Sequence, residues 1–160
     1  MKTKAAIPLS VSTIISGGQT GAERGALDAA IEQGIPHGGI CAKGRKSEDG
    51  QVPAKYQVTD ASNEYTDRAE ANVADACGTL ICTFGRLGGA SKQVWEHARK
   101  HGKPALHLDL NAEATDYAVK RVREWLSQHA IRVLNVAGSR ESESAGLHGA
   151  VKDLLNRVFR

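Results

Sequence analysis

Aromatic side chains are scarce in this sequence: phenylalanine, tryptophan and tyrosine make up only 4% of its 160 residues. A stacking platform for nucleic-acid bases needs aromatic residues interleaved with basic ones, and the sequence contains neither that pattern nor a long basic run. The net charge of +3 is also too small to indicate a nucleic-acid-binding protein. We therefore expect a core built from Ala, Val, Leu and Ile, and no nucleic-acid partner.

Cysteine is also rare. The three cysteines, Cys41, Cys77 and Cys82, are an odd number without a Cys-x-x-Cys pair. This pattern is typical of reduced thiols and argues against a disulfide framework or a zinc site. No apolar run approaches the roughly 18 residues that a membrane-spanning helix needs, and the first residues show no signal-peptide pattern. We expect a cytoplasmic protein with no membrane partner.

Sequence signatures of catalysis are missing as well. There is no Gly-x-Ser-x-Gly elbow and no cysteine–histidine spacing typical of a nucleophile and its base. His97 and His101 have the i, i+4 spacing that can hold a metal ion on a helix, but the residues between them are basic and include no glutamate. The sequence predicts no catalytic residue and no metal site, and it leaves open whether the protein is an enzyme.

Glycine, in contrast, is abundant, with 17 residues, and a glycine-rich turn follows the first predicted strand. A β-branched run at residues 11–15 leads into Gly17-Gly18-Gln19-Thr20-Gly21, and an apolar helical face begins at Ala22. Thr20 and Glu23 have the spacing of a capping box. A strand, a glycine turn and a helix start form the geometry that binds anions, although a ligand-free turn would have the same pattern. Because Glu23 would repel a phosphate directly above it, this side chain either turns back to cap the helix or faces a hydroxyl, an amide or a metal ion of the ligand.

Strand-like runs alternate with amphipathic helical segments along the chain. The first helix should end near Gln33 at a Gly-Ile-Pro stop, and the same punctuation recurs at residues 102–104. Further strands are predicted at residues 39–41, 56–59, 80–84, 105–110 and 132–136, and further helices at residues 65–76, 90–101, 115–129 and 147–159. This alternation predicts a mainly parallel sheet covered on both faces. We expect one three-layer α/β/α domain over residues 1–160, with residues 1–10 as a flexible extension.

Two more glycine-rich turns follow predicted strands. Residues 85–91 lead directly into a helix, and residues 137–140 follow the last strand. Each turn has an arginine close to a glycine: Arg86 directly follows Gly85, and Arg140 is separated from Gly138 by one residue. Ligands of open α/β sheets bind at the carboxyl ends of the strands. We therefore expect the three turns to contribute to one binding site.

The segment between residues 36 and 60 interrupts the alternation with a basic loop that contains Lys43, Arg45 and Lys46. A loop of this length inside a domain is usually functional or disordered, so we interpret it as an ordered excursion that adds cations to the site. A solvated basic loop is the alternative. In the next helix, Arg68, Asn72 and Asp75 lie on one side, which is either a ligand-facing edge or an exposed face.

Three stretches together resemble the family known as putative molybdenum carriers: SGGQTGAER at residues 16–24, GGICAKGRKSEDG at residues 38–50 and LNVAGSR at residues 134–140. That family is a circularly permuted branch of the Rossmann-like superfamily, which also contains the cytokinin-activating phosphoribohydrolases and the algal molybdenum cofactor carrier protein. The likeness extends from about residue 13 to the C-terminus. The sequence departs from the family pattern at Glu23, Ile40, Ala42, Ala69 and Ala90, where aspartate, tryptophan, proline and two threonines are usual.

The resemblance implies a Rossmann-like fold, a homo-oligomer and a phosphate-bearing small molecule of nucleotide or molybdenum-cofactor type. Transferred position by position, the ligand-binding residues would be Gly17, Gly18, Gln19, Thr20, Gly21, Lys43, Arg45, Glu48, Arg68, Asn72, Gly88, Gly89, Gly138, Ser139 and Arg140.

Three functions are compatible with such a site. The first is a carrier that binds and delivers a phosphorylated heterocycle, the molybdenum cofactor being the named candidate. The second is a nucleotide-cleaving enzyme of phosphoribohydrolase type with Glu23 or Glu48 as acid or base, although the phosphoribohydrolase motif is incomplete after Gly88-Gly89. The third is a sensor of a nucleotide-derived ligand.

Overall fold

The computed structural model describes residues 9–61 and 67–160. Its central sheet consists of β1 (Thr13–Ile15), β2 (His37–Gly38), β7 (Gly78–Thr83), β8 (Ala105–Asp109) and β9 (Val133–Gly138). These strands lie in the order β2-β1-β9-β7-β8, and all four strand pairs are parallel. Two short pairs lie outside this sheet: β3 (Ile40–Cys41) with β6 (Thr59–Asp60), and β4 (Lys46–Ser47) with β5 (Gly50–Gln51).

Helices cover both faces of the sheet. They are α1 (Ala22–Gln33), α2 (Arg68–Asp75), α3 (Gly89–Lys100), α4 (Thr115–Gln128) and α5 (Leu147–Val158). Consecutive strand residues point to opposite faces: Leu80 packs in a core with α1, α4 and α5, whereas Ile81 packs in a second core with α2 and α3. The predicted three-layer Rossmann-like α/β fold is therefore confirmed.

The order of the strands in the sheet shows a circular permutation. The last strand of the chain, β9, lies at the centre of the sheet, between β1 and β7. If β9 is counted first, followed by β1, β2, β7 and β8, the strand order becomes 3-2-1-4-5, which is the order of the dinucleotide-binding Rossmann fold. The strand order then reverses between β9 and β7, and doubly wound proteins bind their ligands at the carboxyl ends of the strands at such a reversal.

Small residues let the helices approach closely. Ala22, Ala26, Ala29 and Ala30 of α1 are all buried, and the largest fully buried side chains among the described residues are Ile, Leu and Val. A methyl group on Gly25 would overlap the backbone carbonyl of His148 in α5. The scarcity of aromatic residues is thus matched by a core in which α1 lies directly on α5.

Most predicted elements are present, with shifted ends. Gly34 has the left-handed conformation that ends α1 (φ 67°), as the Gly-Ile-Pro stop predicted. The prediction that Thr20 and Glu23 form a capping box is wrong: Gly21, not Thr20, is the N-cap of α1, and no side chain caps this helix. The helix predicted at residues 65–76 begins at Arg68 within the described residues, whereas its first positions, and residues 1–8 of the predicted extension, lie outside them.

We expect Gly25→Ala to destabilise the protein by about 1–3 kcal/mol, because the added methyl group must displace the backbone of α5. Gly149→Ala, also in α5, is the matched control: apart from the neighbouring backbone of its own helix, a methyl group there meets no atom of the described residues within 4 Å. Better helix propensity should therefore make it neutral or stabilising by up to about 1 kcal/mol. Urea unfolding of both variants measures the difference. Equal stability of the two variants would contradict the close packing of α1 on α5.

Candidate ligand-binding site

The three glycine-rich turns lie side by side at the carboxyl edge of the sheet, because they follow the neighbouring strands β1, β9 and β7. The turns after β1 and β9 touch. A methyl group on Gly21 (φ 83°) would overlap the Ser139 carbonyl, and the Ala22 N–H donates to that carbonyl at 3.2 Å. The structure therefore brings together the residues of all three turns that the sequence predicted to form one site.

Of the three helix starts that follow the glycine-rich turns, two are occupied by the protein itself. The Glu141 carboxylate accepts hydrogen bonds from the backbone N–H groups of Gly146 (2.7 Å) and His148 (3.0 Å) at the start of α5. These bonds lower the pKa of Glu141. At the start of α1, the Ser139 carbonyl takes one N–H group and Glu23 lies in the first turn. Neither helix start is free to receive a phosphate without rearrangement.

The third helix start, that of α3, is open. A methyl group on Gly88 or Gly89 would meet no atom of the described residues within 4 Å. The Ser91 hydroxyl bonds the Gly88 N–H at 3.1 Å, and no acidic side chain lies in the first turn. Since the first N–H groups of a helix have no partner within the helix, Gly89 and Ala90 present donors and a positive dipole end at the crevice between β9 and β7.

A carboxylate and a guanidinium lie beside the turn after β1. Glu23 Oε1 accepts the Gln19 N–H at 2.9 Å and lies 3.3 Å from Arg68 Nη1. Both side chains are largely buried, with 13% and 24% of their areas exposed. A methyl group on Gly17 would come within 2.7 Å of Glu23 Oε1, so glycine at this position leaves room for the ion pair. Glu23 therefore neither caps α1 nor points into solvent.

The basic loop is fastened to the first glycine turn by Arg24. This buried side chain donates to the Gly18 carbonyl at 3.0 Å, to Ser47 at 3.0 Å and to both carboxylate oxygens of Asp49. The hydrogen bond between Arg24 and Asp49 raises the pKa of Arg24. Together with the hydrogen bond from Ser47 to Asp49, it holds the pKa of Asp49 far below its usual range. Asp49 thus fixes the loop to the glycine turn as the partner of a buried cation.

Glu48 fastens the same loop to the turn after β9. Its carboxylate accepts hydrogen bonds from the Ser142 hydroxyl (2.5 Å) and N–H (3.2 Å) and from the Thr20 hydroxyl, and these bonds lower its pKa. The Glu48 N–H donates to the Gln19 side chain at 2.9 Å. Glu48, Thr20 and Gln19 therefore connect the first glycine turn, the basic loop and the segment after β9. If these residues also contact the ligand, as the sequence predicts, they must do so while they keep these bonds.

Two other predicted binding residues are bonded to the backbone. The Arg45 guanidinium donates to the carbonyls of Val52, Pro53, Tyr56 and Val58. The buried Asn72 amide exchanges two hydrogen bonds with the N–H and carbonyl of Ile40, at 2.9 and 3.0 Å. Both side chains hold the excursion of residues 39–60 in place. Lys43 and Arg140, in contrast, are exposed and free to reach an anion.

Sequence reasoning missed the residues that hold the site together. Arg24, Asp49, Glu141 and Ser142 were not among the predicted site residues, although their bonds fix the glycine turns. The Ser47 and Asp49 side chains lie more than twenty residues from Arg24 along the chain, and no spacing rule connects them. Glu141 lies six residues before the start of α5 and is not its N-cap, so a search for N-cap residues would not have found it either.

Within residues 9–61 and 67–160, no group of three or more His, Cys, Asp and Glu residues is arranged to hold a metal ion, and no helix is long and apolar enough to cross a membrane. His97, from the predicted i, i+4 pair, contacts the carboxylates of Glu70 (2.9 Å) and Asp67 (3.2 Å) instead. This histidine joins α3 to α2. A groove of about 870 Å³ is lined by Val11 before β1 and Ile35 after α1, and thus lies at the opposite edge of the sheet from the glycine turns.

Comparison with known proteins gives a consistent assignment. The sequence model of the circularly permutated YpsA SLOG family matches residues 14–159. A crystal structure of a putative molybdenum carrier protein from Syntrophus aciditrophicus SB is similar, with a TM-score of 0.90 and 43% sequence identity over 94% of this chain and 96% of that chain. No curated protein matches this chain at a significant level.

Acid should release the basic loop from the glycine turns. Because the pKa values of Asp49, Glu48 and Glu141 are lowered in the folded state, their stabilisation is complete above the ordinary carboxyl pKa values and is lost as the pH falls through the depressed ones. We expect the free energy of unfolding, measured with urea, to fall steadily from about pH 5 to about pH 3. Asp49→Asn should be less stable near neutral pH and should show a shallower pH dependence. An unchanged slope would exclude Asp49 from this role.

Proposed function

The chain belongs to the circularly permuted YpsA family of SLOG proteins, and from that premise we propose that it binds a phosphate-bearing heterocyclic small molecule in the crevice between the turns after β9 and β7. The observation that supports this most is the open start of α3. Among the three helix starts that follow the glycine-rich turns, it alone has no acidic side chain and no protein group over its glycines within the described residues.

The phosphate would bind the N–H groups of Gly89 and Ala90, where the helix dipole favours an anion. Arg86 and Arg140 are exposed after β7 and β9 and could approach the phosphate from both sides of the crevice. Charge-assisted hydrogen bonds of this type contribute roughly 1.5–3 kcal/mol each. A few of them, after the cost of association, are sufficient for micromolar binding.

Two ligand classes fit this anchor: the molybdenum cofactor and a nucleotide. The structural neighbour bears the name of a molybdenum carrier, which favours a protein that binds a cofactor and passes it on. A carrier needs no nucleophile, which agrees with the lack of a nucleophile–base spacing in the sequence. The site would recognise the phosphate first, and the remaining contacts would select the heterocycle.

A nucleotide-cleaving enzyme is the second candidate, and the Glu23–Arg68 pair is the observation that favours it. A carboxylate in the crevice could act as general acid or base near a sugar. Glu96, the acidic residue nearest to the position of the phosphoribohydrolase glutamate, is exposed on α3. A sensor of a nucleotide-derived ligand would use the same site. The homo-oligomer and the cytoplasmic location implied above stay predictions; sedimentation velocity tests the former.

Gly89→Asp should weaken the binding of inorganic phosphate by at least about tenfold, because it places a carboxylate where the phosphate would lie. Gly89 has φ 51°, a conformation that aspartate and asparagine tolerate better than other non-glycine residues. Titration followed by ¹⁵N NMR, with the amide signals of residues 88–91 as reporters, measures the dissociation constant.

Gly89→Asn is the matched control, since it has the same shape and no charge. It should retain most of the affinity of the wild-type protein. Equal phosphate binding by the wild-type protein and both variants, or shifts confined to residues elsewhere, would place the anion site away from α3.

A further inference from the structure

The turn after β7 is fastened differently from the other two glycine-rich turns. The turns after β1 and β9 are connected to the basic loop by Arg24 and Glu48. The turn after β7, residues 84–88, lies next to the edge strand β8, and His107 and Asp109 of that strand hold it. Because this turn leads directly into α3, the contacts that fix it also fix the start of that helix.

Asp109, the last residue of β8, holds the N–H of Gly85. Its Oδ1 accepts hydrogen bonds from the Gly85 N–H at 2.8 Å and from the Asn111 N–H at 2.9 Å. The bond from Gly85 lowers the pKa of Asp109, so this carboxyl group is an ionised acceptor at neutral pH. Gly85 has φ 99°, a conformation that favours glycine, and the bond therefore fixes the point at which the backbone turns away from β7.

A relay of two hydrogen bonds, from His107 to Thr83 and from Thr83 to Gly85, holds the carbonyl of the same glycine. The Thr83 hydroxyl donates to the Gly85 carbonyl at 2.5 Å, and His107 Nε2 lies 2.7 Å from the hydroxyl oxygen. A hydroxyl has one hydrogen, and a carbonyl oxygen can only accept. Because that hydrogen is directed at Gly85, Nε2 of His107 must be the donor in the other bond.

Water cannot easily take the place of these bonds, because only 1% of Thr83 is exposed. Without its hydroxyl, the Gly85 carbonyl and the His107 N–H would both lose their partner, and a buried polar group without a partner is costly. Burial also lowers the pKa of His107, so the ring is neutral at neutral pH and carries a single N–H. The relay and Asp109 together hold Gly85 at its carbonyl and at its N–H.

We propose that Thr83, His107 and Asp109 are positioning residues of the phosphate site. Through the backbone of Gly85, they hold the turn after β7 in the conformation that presents the start of α3 to an anion. The proposal rests on the phosphate site proposed above, and the anion touches none of the three side chains. Because they fix the turn beforehand, the protein does not have to order it on binding, and a site that is ordered in advance binds more tightly.

Thr83→Val tests the relay, because valine has nearly the shape of threonine and lacks the hydroxyl. We expect this variant to bind inorganic phosphate roughly fivefold more weakly than the wild-type protein, the effect of one lost hydrogen bond. Thr83→Ser keeps the hydroxyl and should stay within about twofold of the wild-type affinity. Dissociation constants come from NMR titration of the ¹⁵N-labelled protein, with the amide signals of residues 88–91 as reporters.

Thr79→Val is the matched control for the loss of a buried threonine hydroxyl in the same strand. Thr79 is fully buried, and its hydroxyl accepts a hydrogen bond from the Asn135 amide at 3.3 Å. This variant should lose stability, measured by thermal unfolding, and should retain the wild-type affinity for phosphate. Weaker phosphate binding in Thr83→Val alone would therefore separate positioning from a general loss of stability.

The ring of His107 gives a second readout, which needs no phosphate. Long-range ¹H–¹⁵N NMR correlations of the wild-type protein should show the proton on Nε2, and the Nε2 signal should shift in Thr83→Val but not in Thr79→Val. A ring protonated on Nδ1 alone would mean that the Thr83 hydroxyl donates to the histidine, and would contradict the relay.

Two variants of Asp109 separate its hydrogen bond to Gly85 from its charge. Asp109→Asn keeps an oxygen that can accept both N–H groups, and it should bind phosphate at least as tightly as the wild-type protein because it loses a negative charge. Asp109→Leu loses the same charge but has no acceptor, and we expect it to bind phosphate roughly fivefold more weakly. This pair decides the question if Thr83→Val does not fold.

Equal phosphate binding by Thr83→Val and the wild-type protein, or an equal loss in Thr79→Val, would contradict the positioning role and leave the phosphate site in place. So would equal binding by the two variants of Asp109. If inorganic phosphate does not shift the amide signals of residues 88–91 in the wild-type protein, the phosphate site itself is wrong, and the positioning role falls with it.

Discussion

The first N–H groups of a helix need partners, and this requirement organises the edge of the sheet at which α1, α3 and α5 begin. Glu141 supplies the partners at α5, and the Ser139 carbonyl supplies one at α1. Both come from the segment that follows β9, the central strand. Of these three helices, α3 is the one whose first N–H groups are not covered by a carboxylate or a neighbouring backbone segment among the described residues. Because the protein itself bonds N–H groups at the starts of α1 and α5, the start of α3 is where a ligand anion can accept hydrogen bonds.

Close approach of backbone segments is the second condition for this arrangement. Gly21 and Gly138 lie where a methyl group would overlap a carbonyl oxygen, that of Ser139 and that of Cys82 respectively. Glycine at these positions lets the turns after β1, β9 and β7 pack against one another. The basic loop then covers the first turn, held by the buried Arg24 and by Glu48. Charged side chains far apart in the sequence thus fix a glycine-rich framework that has little side-chain bulk of its own.

The alternation of strands and helices, and the glycine stops such as Gly34, were enough to predict the α/β class and the meeting of three turns at one edge. Local patterns did not reveal that β9 is central, because strand order depends on packing between elements that are distant in sequence. They also did not reveal that Arg45 and Asn72 bond the backbone. A positively charged or amide side chain in a loop has the same sequence signature whether it binds a ligand or a carbonyl group. Thr20 and Glu23 matched a capping box by spacing, yet Glu48 and Arg68 compete for their side chains.

The central claim, that the start of α3 receives the phosphate of the ligand, is tested most directly by a crystal structure of the protein with inorganic phosphate. The account predicts phosphate oxygens within hydrogen-bonding distance of the Gly89 and Ala90 N–H groups, with Glu141 still bonded to the start of α5. A phosphate at the start of α1 or α5, on the basic loop, or at no site of the protein would contradict it.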